Sequence, residues 1–172
     1  YYMYLPYGFL SGDLNFSNLD HVNEIVEQYK NTASLYQLTD AANGNRVIKY
    51  PVGVALMTLP FFVLGHFGAL IFGYAPDGFS EPYQWMVLVT NWFYAIVGFI
   101  YARKLLLLFF NSKTTSIILF ILFLGTNYLY TTTLQTGISH IPLFALYAMS
   151  LYFTAKWHES PTFKRSIILG LL

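Results

Sequence analysis

Seven side chains in this sequence are candidates for chemistry at a charged oxygen: Asp13, Asp20, Lys49, Tyr50, Gln135, Ser139 and His140. A carboxylate can take a proton from a hydroxyl, an ammonium or imidazole can hold a phosphate oxygen, and amides or hydroxyls can orient the group between them. Lys49 and Tyr50 come in "RVIKYPVG", directly before Pro51, while Gln135, Ser139 and His140 come in "LQTGISHIP" and Asp13 in "SGDLNF". Gathered at one face of a membrane, such a set would deprotonate a hydroxyl and hold a phosphate. No metal ligand is assigned.

Each residue also has a purely structural reading. Asp20, ahead of "HVNEIVEQYK", suits a helix N-cap better than a base. Asp13 suits an Asx-type turn, which leaves it a weak candidate for the base. Lys49 reads equally as a lysine snorkelling to the headgroups and as a contact to a lipid phosphate. His140 follows Ser139 as N-cap, with Pro142 in the first turn, which favours an interfacial histidine without a ligand role. His66 lies on an apolar stretch and reads as a packing residue. "NFS" at Asn15 matches a glycosylation sequon, a pattern too common to carry weight.

The elements that must position these residues are set by composition. Of 172 residues, 56% are hydrophobic, 20% aromatic and 10% charged, far from the roughly 25% charged content of a soluble domain. The expectation is an integral membrane protein: an all-α, polytopic transmembrane helix bundle with an extracytoplasmic first loop and juxtamembrane helices. The absence of Cys excludes disulfides and thiolate metal sites, and a net charge of +1 gives no pull toward nucleic acid. Both ends, "YYMY" and "RSIILGLL", read as cut, so the chain is expected to be a fragment.

Residues 1–50 hold five acids (Asp13, Asp20, Glu24, Glu27, Asp40) and three bases (Lys30, Arg46, Lys49) and read as a polar loop domain. Within it Val22, Ile25, Val26 and Tyr29 recur at helical spacing, which predicts a short amphipathic helix, and "DAANGNR" reads as a turn. Apolar segments follow at 51–74, 84–108, 115–130 and 138–157, with another from about 163. Aromatics near the segment ends suit interfacial belts.

Lys and Arg are retained on the cytoplasmic side of short loops. Arg103, Lys104 and Lys113 after one segment, and Lys156, Lys164 and Arg165 after another, place those connections inside, whereas "TTTLQTG" and "APDGFSEP" face out. Segment 51–74 then decides the side of residues 1–50. A full crossing puts them inside; a juxtamembrane or re-entrant helix leaves them outside. Pro60 in mid-run, the glycines and His66 in the second half, and the acidic excess of the loop favour the second reading. At about 1.5 Å per residue the stretch is also long enough to cross. No carboxylate or base lies between Gln84 and Tyr101 or between Thr114 and Tyr130, where ion-coupled transporters keep them.

"YYMYLPYGFLSGDL", "KYPVGVALMTLPFFVLG", "YARKLLLLFF" and "LGTNYLYTTTLQTGISHIPLFALYAMSLYFTAKW" together resemble the N-terminal half of a GT-C fold glycosyltransferase, in the branch of the protein O-mannosyltransferases and lipid A aminoarabinose transferases. The resemblance implies an enzyme of the bacterial inner membrane. It would pass a sugar from a polyprenyl-phosphate donor to a hydroxyl of a glycan, lipid or protein acceptor, with residues 1–50 outside the cytoplasm. It also implies an aspartate base early in the first loop, and cationic side chains or a divalent metal at the leaving phosphate. Lys49 matches the family's lysine or histidine before the helix proline, and His140 lies where relatives carry a polar or acidic residue. The family aspartate precedes a segment like "YYMYLP", so it is expected upstream of Tyr1, and the fragment alone is expected to be inactive. The alternatives are a transporter or flippase component for lipid-linked glycans, or a membrane scaffold without catalytic role.

Overall fold

The structure, a computed structural model, describes residues 1–16, 19–29, 38–42 and 46–172. It is mostly helical and divides into two compact units, Tyr1–Thr90 and Asn91–Leu172. The division passes through one long helix.

The first unit opens on a π-helical turn, Pro6–Leu10, closed by the Ser11 amide on the Pro6 carbonyl. Helix α1, Leu19–Tyr29, follows, with Ile25 buried among polar neighbours that face outward. Asp20 lies within this helix, and residues 17–18 before it are outside the described residues, as is Lys30. An antiparallel ribbon not expected from the sequence comes next: β1 (Leu38–Asp40) pairs with β2 (Arg46–Ile48) in the register Leu38↔Ile48, Thr39↔Val47, Asp40↔Arg46. Arg46 Nε donates to Asp40 Oδ1 at 3.1 Å across the pair next to the connecting turn. Of the turn "DAANGNR" between them, 43–45 lie outside the described residues.

Helix α2, Gly53–Phe72, runs unbroken through Pro60. The proline removes one ladder bond, but unwinding an apolar stretch would expose many unpaired backbone groups. Gly73 ends the helix at φ +75, its amide on the Ala69 carbonyl. Helix α3, Glu81–Leu106, returns beside α2. Ala55, Phe62, Gly65 and Ala69 line one buried stripe of α2, and Tyr83 of α3 packs into it. A Cβ on Gly65 would lie 3.2 Å from Tyr83 Cα and 3.1 Å from Met86 Cγ, so the backbones meet where a small residue allows it.

In the second unit α3 continues, followed by α4 (Ser112–Gly125), α5 (Tyr128–Thr133), α6 (His140–Glu159) and α7 (Phe163–Leu171). The expected single segment 115–130 is two helices. Thr126 is extended, and its hydroxyl donates to the Leu122 carbonyl at 2.6 Å while accepting from the Tyr128 amide at 3.2 Å, so one side chain ends α4 and starts α5. The core joins Ala95, Tyr128 and Ile141, with Phe99, Leu122 and Phe144 packed around them. Asn111 caps α4 by accepting from the Thr114 amide at 2.9 Å.

Among the described residues two helices, α2 and α3, are long and apolar enough to cross a membrane, and only 22% of the apolar window of each is buried within the chain. A helix serving as a protein core would be mostly buried. Here Leu64, Phe67 and Ile71 of α2 and Ile96 of α3 point away from the chain's own packing.

Candidate functional site

The approach to α2 positions Lys49. Ile48, the last residue of β2, is buried among Tyr7 and Phe16, and strand alternation sends the next side chain to the opposite face. Lys49 is exposed there. Tyr50 is then fixed from two sides: the Tyr4 hydroxyl donates to its carbonyl at 2.7 Å, and the Tyr1 ring lies 4.8 Å from its ring centroid. Pro51 and Val52 lead directly into α2. An exposed ammonium next in the chain to Tyr50, at the foot of a long apolar helix, suits a phosphate oxygen at the level of lipid headgroups.

Asp13 adopts the turn that its sequence context suggests: its Oδ1 accepts from the Asn15 amide at 3.2 Å. Its own amide donates to the Tyr7 carbonyl at 2.9 Å. Burial first, and the Asp13 charge second, push the Tyr7 phenol up to about 12. Tyr7 packs with Phe16 and Ile48, and Tyr50 lies at the edge of the same cluster. Asp13 and Lys49 are thus attached to one aromatic cluster through different members of it.

Gln135, Ser139 and His140 belong to the second unit. Gln135 and His140 are exposed, and Ser139 is half-buried at the N-cap position of α6 but makes no side-chain cap bond to the helix. Pro142 is buried in the first turn, as expected of a helix entry. Lys49, Tyr50 and Asp13 belong to the first unit, and Gln135, Ser139 and His140 to the second.

The most developed polar network was not legible as such. Asp77, which the sequence offers only as a charge in an outward loop, accepts from the Phe79 and Ser80 amides at 2.8 and 2.9 Å through Oδ1. Its Oδ2 accepts from the Tyr29 hydroxyl at 2.5 Å. Both carboxylate oxygens are therefore engaged in holding the α2–α3 connection, which makes Asp77 a loop organiser. The Pro-Asp-Gly triplet was the available signal for such a turn. His66 reads as it did from sequence, a packing residue with a partner: its Nδ1 lies 2.6 Å from the Tyr83 hydroxyl.

Among the described residues no three of His, Asp and Glu converge to hold a metal ion. The chain matches no family model, no curated protein and no solved structure.

Proposed function

We propose that this chain is part of an integral membrane glycosyltransferase that moves a sugar from a polyprenyl-phosphate donor to an acceptor hydroxyl at the outer membrane–water interface. In this reading the chain is a polytopic bundle in the bilayer of a bacterial inner membrane, with residues 1–50 outside the cytoplasm. The acceptor oxygen forms a bond to the anomeric carbon as the carbon–oxygen bond to the donor phosphate breaks. The electron pair leaves with the polyprenyl phosphate, and the hydroxyl proton goes to a base. Lys49 neutralises the leaving phosphate.

The observation that supports this most is the setting of Lys49: exposed, beside the Tyr1–Tyr50 ring pair, at the entry to a helix long and apolar enough to cross a membrane. That setting would bring a cation to the level of lipid phosphates. Asp13 is a weaker partner, because one of its oxygens already serves the Asn15 amide.

The test is consumption of polyprenyl-phosphate-sugar by membranes containing the intact protein. Lys49→Ala should lower donor use at least about tenfold, the scale of losing a charge-assisted contact, and Lys49→Arg should retain most of it. Equal rates in all forms would reduce Lys49 to an anchor, and no donor loss with the intact protein would overturn the enzyme reading.

A further inference from the structure

The second unit carries its charge at one pole. Residues 91–172 contain Arg103, Lys104, Lys113, Lys156, Lys164 and Arg165 against a single acid, Glu159, a net of +5, whereas residues 1–90 hold seven acids and three bases, a net of −4. The packing gathers the six bases. Gly98 abuts Phe144 and Ala145, and one turn further along α3 Tyr101 meets Tyr152 and Phe153, so α3 and α6 run parallel and end together. Arg103 and Lys104 close α3, Lys156 lies in the last turn of α6, and Lys113 opens α4 after the short connection from α3. Lys164 and Arg165 open α7. No Lys or Arg occurs in 126–140, at the start of α6.

Within this pole Lys104 has a defined seat. Its Nζ lies 4.8 Å from the Tyr101 ring centroid and 6.0 Å from that of Tyr152, a cation held over one ring beside another. The unit's one acid does not serve it, since Glu159 binds Lys156 Nζ at 2.7 Å. Arg165 is committed to the Lys156 and Ser160 carbonyls. Arg103, exposed, stands next to Lys104 on the chain. Ile100 and Leu151, close to the pole, are exposed and apolar, and so are Phe109 and Phe110 in the connection beyond α3. A surface that passes from hydrocarbon through tyrosine rings to unpaired cations matches a lipid leaflet in the same order.

We propose that Lys104, with Arg103 and the Tyr101–Tyr152 pair, binds the phosphate of an anionic phospholipid headgroup at this pole. The inference rests on the membrane reading of the chain, and its test separates the two. The full chain is reconstituted in phosphatidylcholine vesicles containing spin-labelled phosphatidylglycerol or spin-labelled phosphatidylcholine as probe. The labelled phosphatidylglycerol should be immobilised severalfold more than the labelled phosphatidylcholine, and less so as salt is raised. Lys104→Gln should remove most of that preference and Lys104→Arg should keep it, at unchanged helix content. Equal immobilisation of the two labels, or a Lys104→Gln chain that behaves as the parent, overturns the site while leaving the membrane reading intact. Failure to insert into either vesicle overturns both. Displacement of the labelled lipid by inorganic phosphate at constant ionic strength would mark a site for free anions and overturn the lipid assignment.

Discussion

The Tyr2 hydroxyl donates to the Gly78 carbonyl at 2.5 Å, tying the first residues of the chain to the connection between α2 and α3. The Tyr2 ring meets Phe62 and Phe79 edge-on at 5.9 and 6.1 Å. Burial, and after it the neighbouring Tyr83 and Asp77, push its phenol well above the usual tyrosine range, so it stays a donor. Gly78 itself is buried at φ +87, with room for a Cβ denied by Pro6 at 2.5 Å. The loop, the π-helical turn and Tyr2 therefore form one closed contact.

Gly78→Ala should lower stability by about 3 kcal/mol, from the left-handed backbone and the overlap with Pro6 together. Gly73→Ala makes the comparison: it shares the left-handed backbone at φ +75 but meets nothing within 4 Å, so it should cost only about 1 kcal/mol. Denaturant titrations of the two variants followed by circular dichroism measure the difference. Equal losses would mean that Pro6 yields freely.

Alkaline pH should weaken the Tyr29–Asp77 clasp. Burial first, then the hydrogen bond to Asp77 and its charge, raise the Tyr29 phenol from 10.0 to about 12. Below pH 10 folded and unfolded chains both keep the proton, and the stabilisation is complete. As pH climbs from about 10 to about 12 the unfolded chain gives it up first, so stability falls through that window. Tyr7 adds to the same fall. In melting curves across this range Tyr29→Phe should start about 1 kcal/mol lower and decline less steeply. A parallel decline in both proteins would remove Tyr29 from the effect.

Asn91 holds the end of α5. It is 2% exposed, and its Nδ2 donates to the Thr131 and Thr132 carbonyls at 3.0 and 2.9 Å. Asn91→Leu should cost about 2 kcal/mol by leaving those carbonyls without their donor. Amide exchange in Leu134 and Gln135, whose amides donate to the Tyr130 carbonyl, should quicken, while exchange within α2 stays as it was.

The proposed orientation has a direct chemical readout, because the chain contains no Cys. A cysteine at Asp40, an exposed strand end, should react with an impermeant thiol reagent added outside intact cells. One at Lys113 should react only after the membrane is opened. The reverse pattern would place residues 1–50 in the cytoplasm and remove Lys49 from the outer face.

Much of the helical layout was legible. Expected segments at 84–108 and 138–157 correspond to Glu81–Leu106 and His140–Glu159, because long apolar runs bounded by Pro, Gly and charge leave little choice of backbone. The break at Thr126 was not legible, since a threonine hydroxyl turning back on Leu122 looks in sequence like any polar residue in a helix. Nor was the β1–β2 ribbon, whose strands are three residues each and leave almost no alternation to read. Among the candidate site residues, the exposure of Lys49 and the Asx turn at Asp13 follow from near neighbours, whereas the tyrosines that frame Tyr50 come from the far end of the loop domain.

By itself the sequence determined what each residue contributes one at a time: apolar length in α2 and α3, a basic set after α3 and α6, an acidic first half, and no thiol. Those properties are local, so a linear reading recovers them. Only the tertiary structure decided which side chains answer one another: Tyr29 and Asp77 across 48 positions, Tyr2 and Gly78 across 76, and Tyr101 with Tyr152 beneath Lys104. Such pairings depend on where chain closure brings two groups, and on a glycine such as Gly98 leaving space for a ring. Neither is a property of any single stretch.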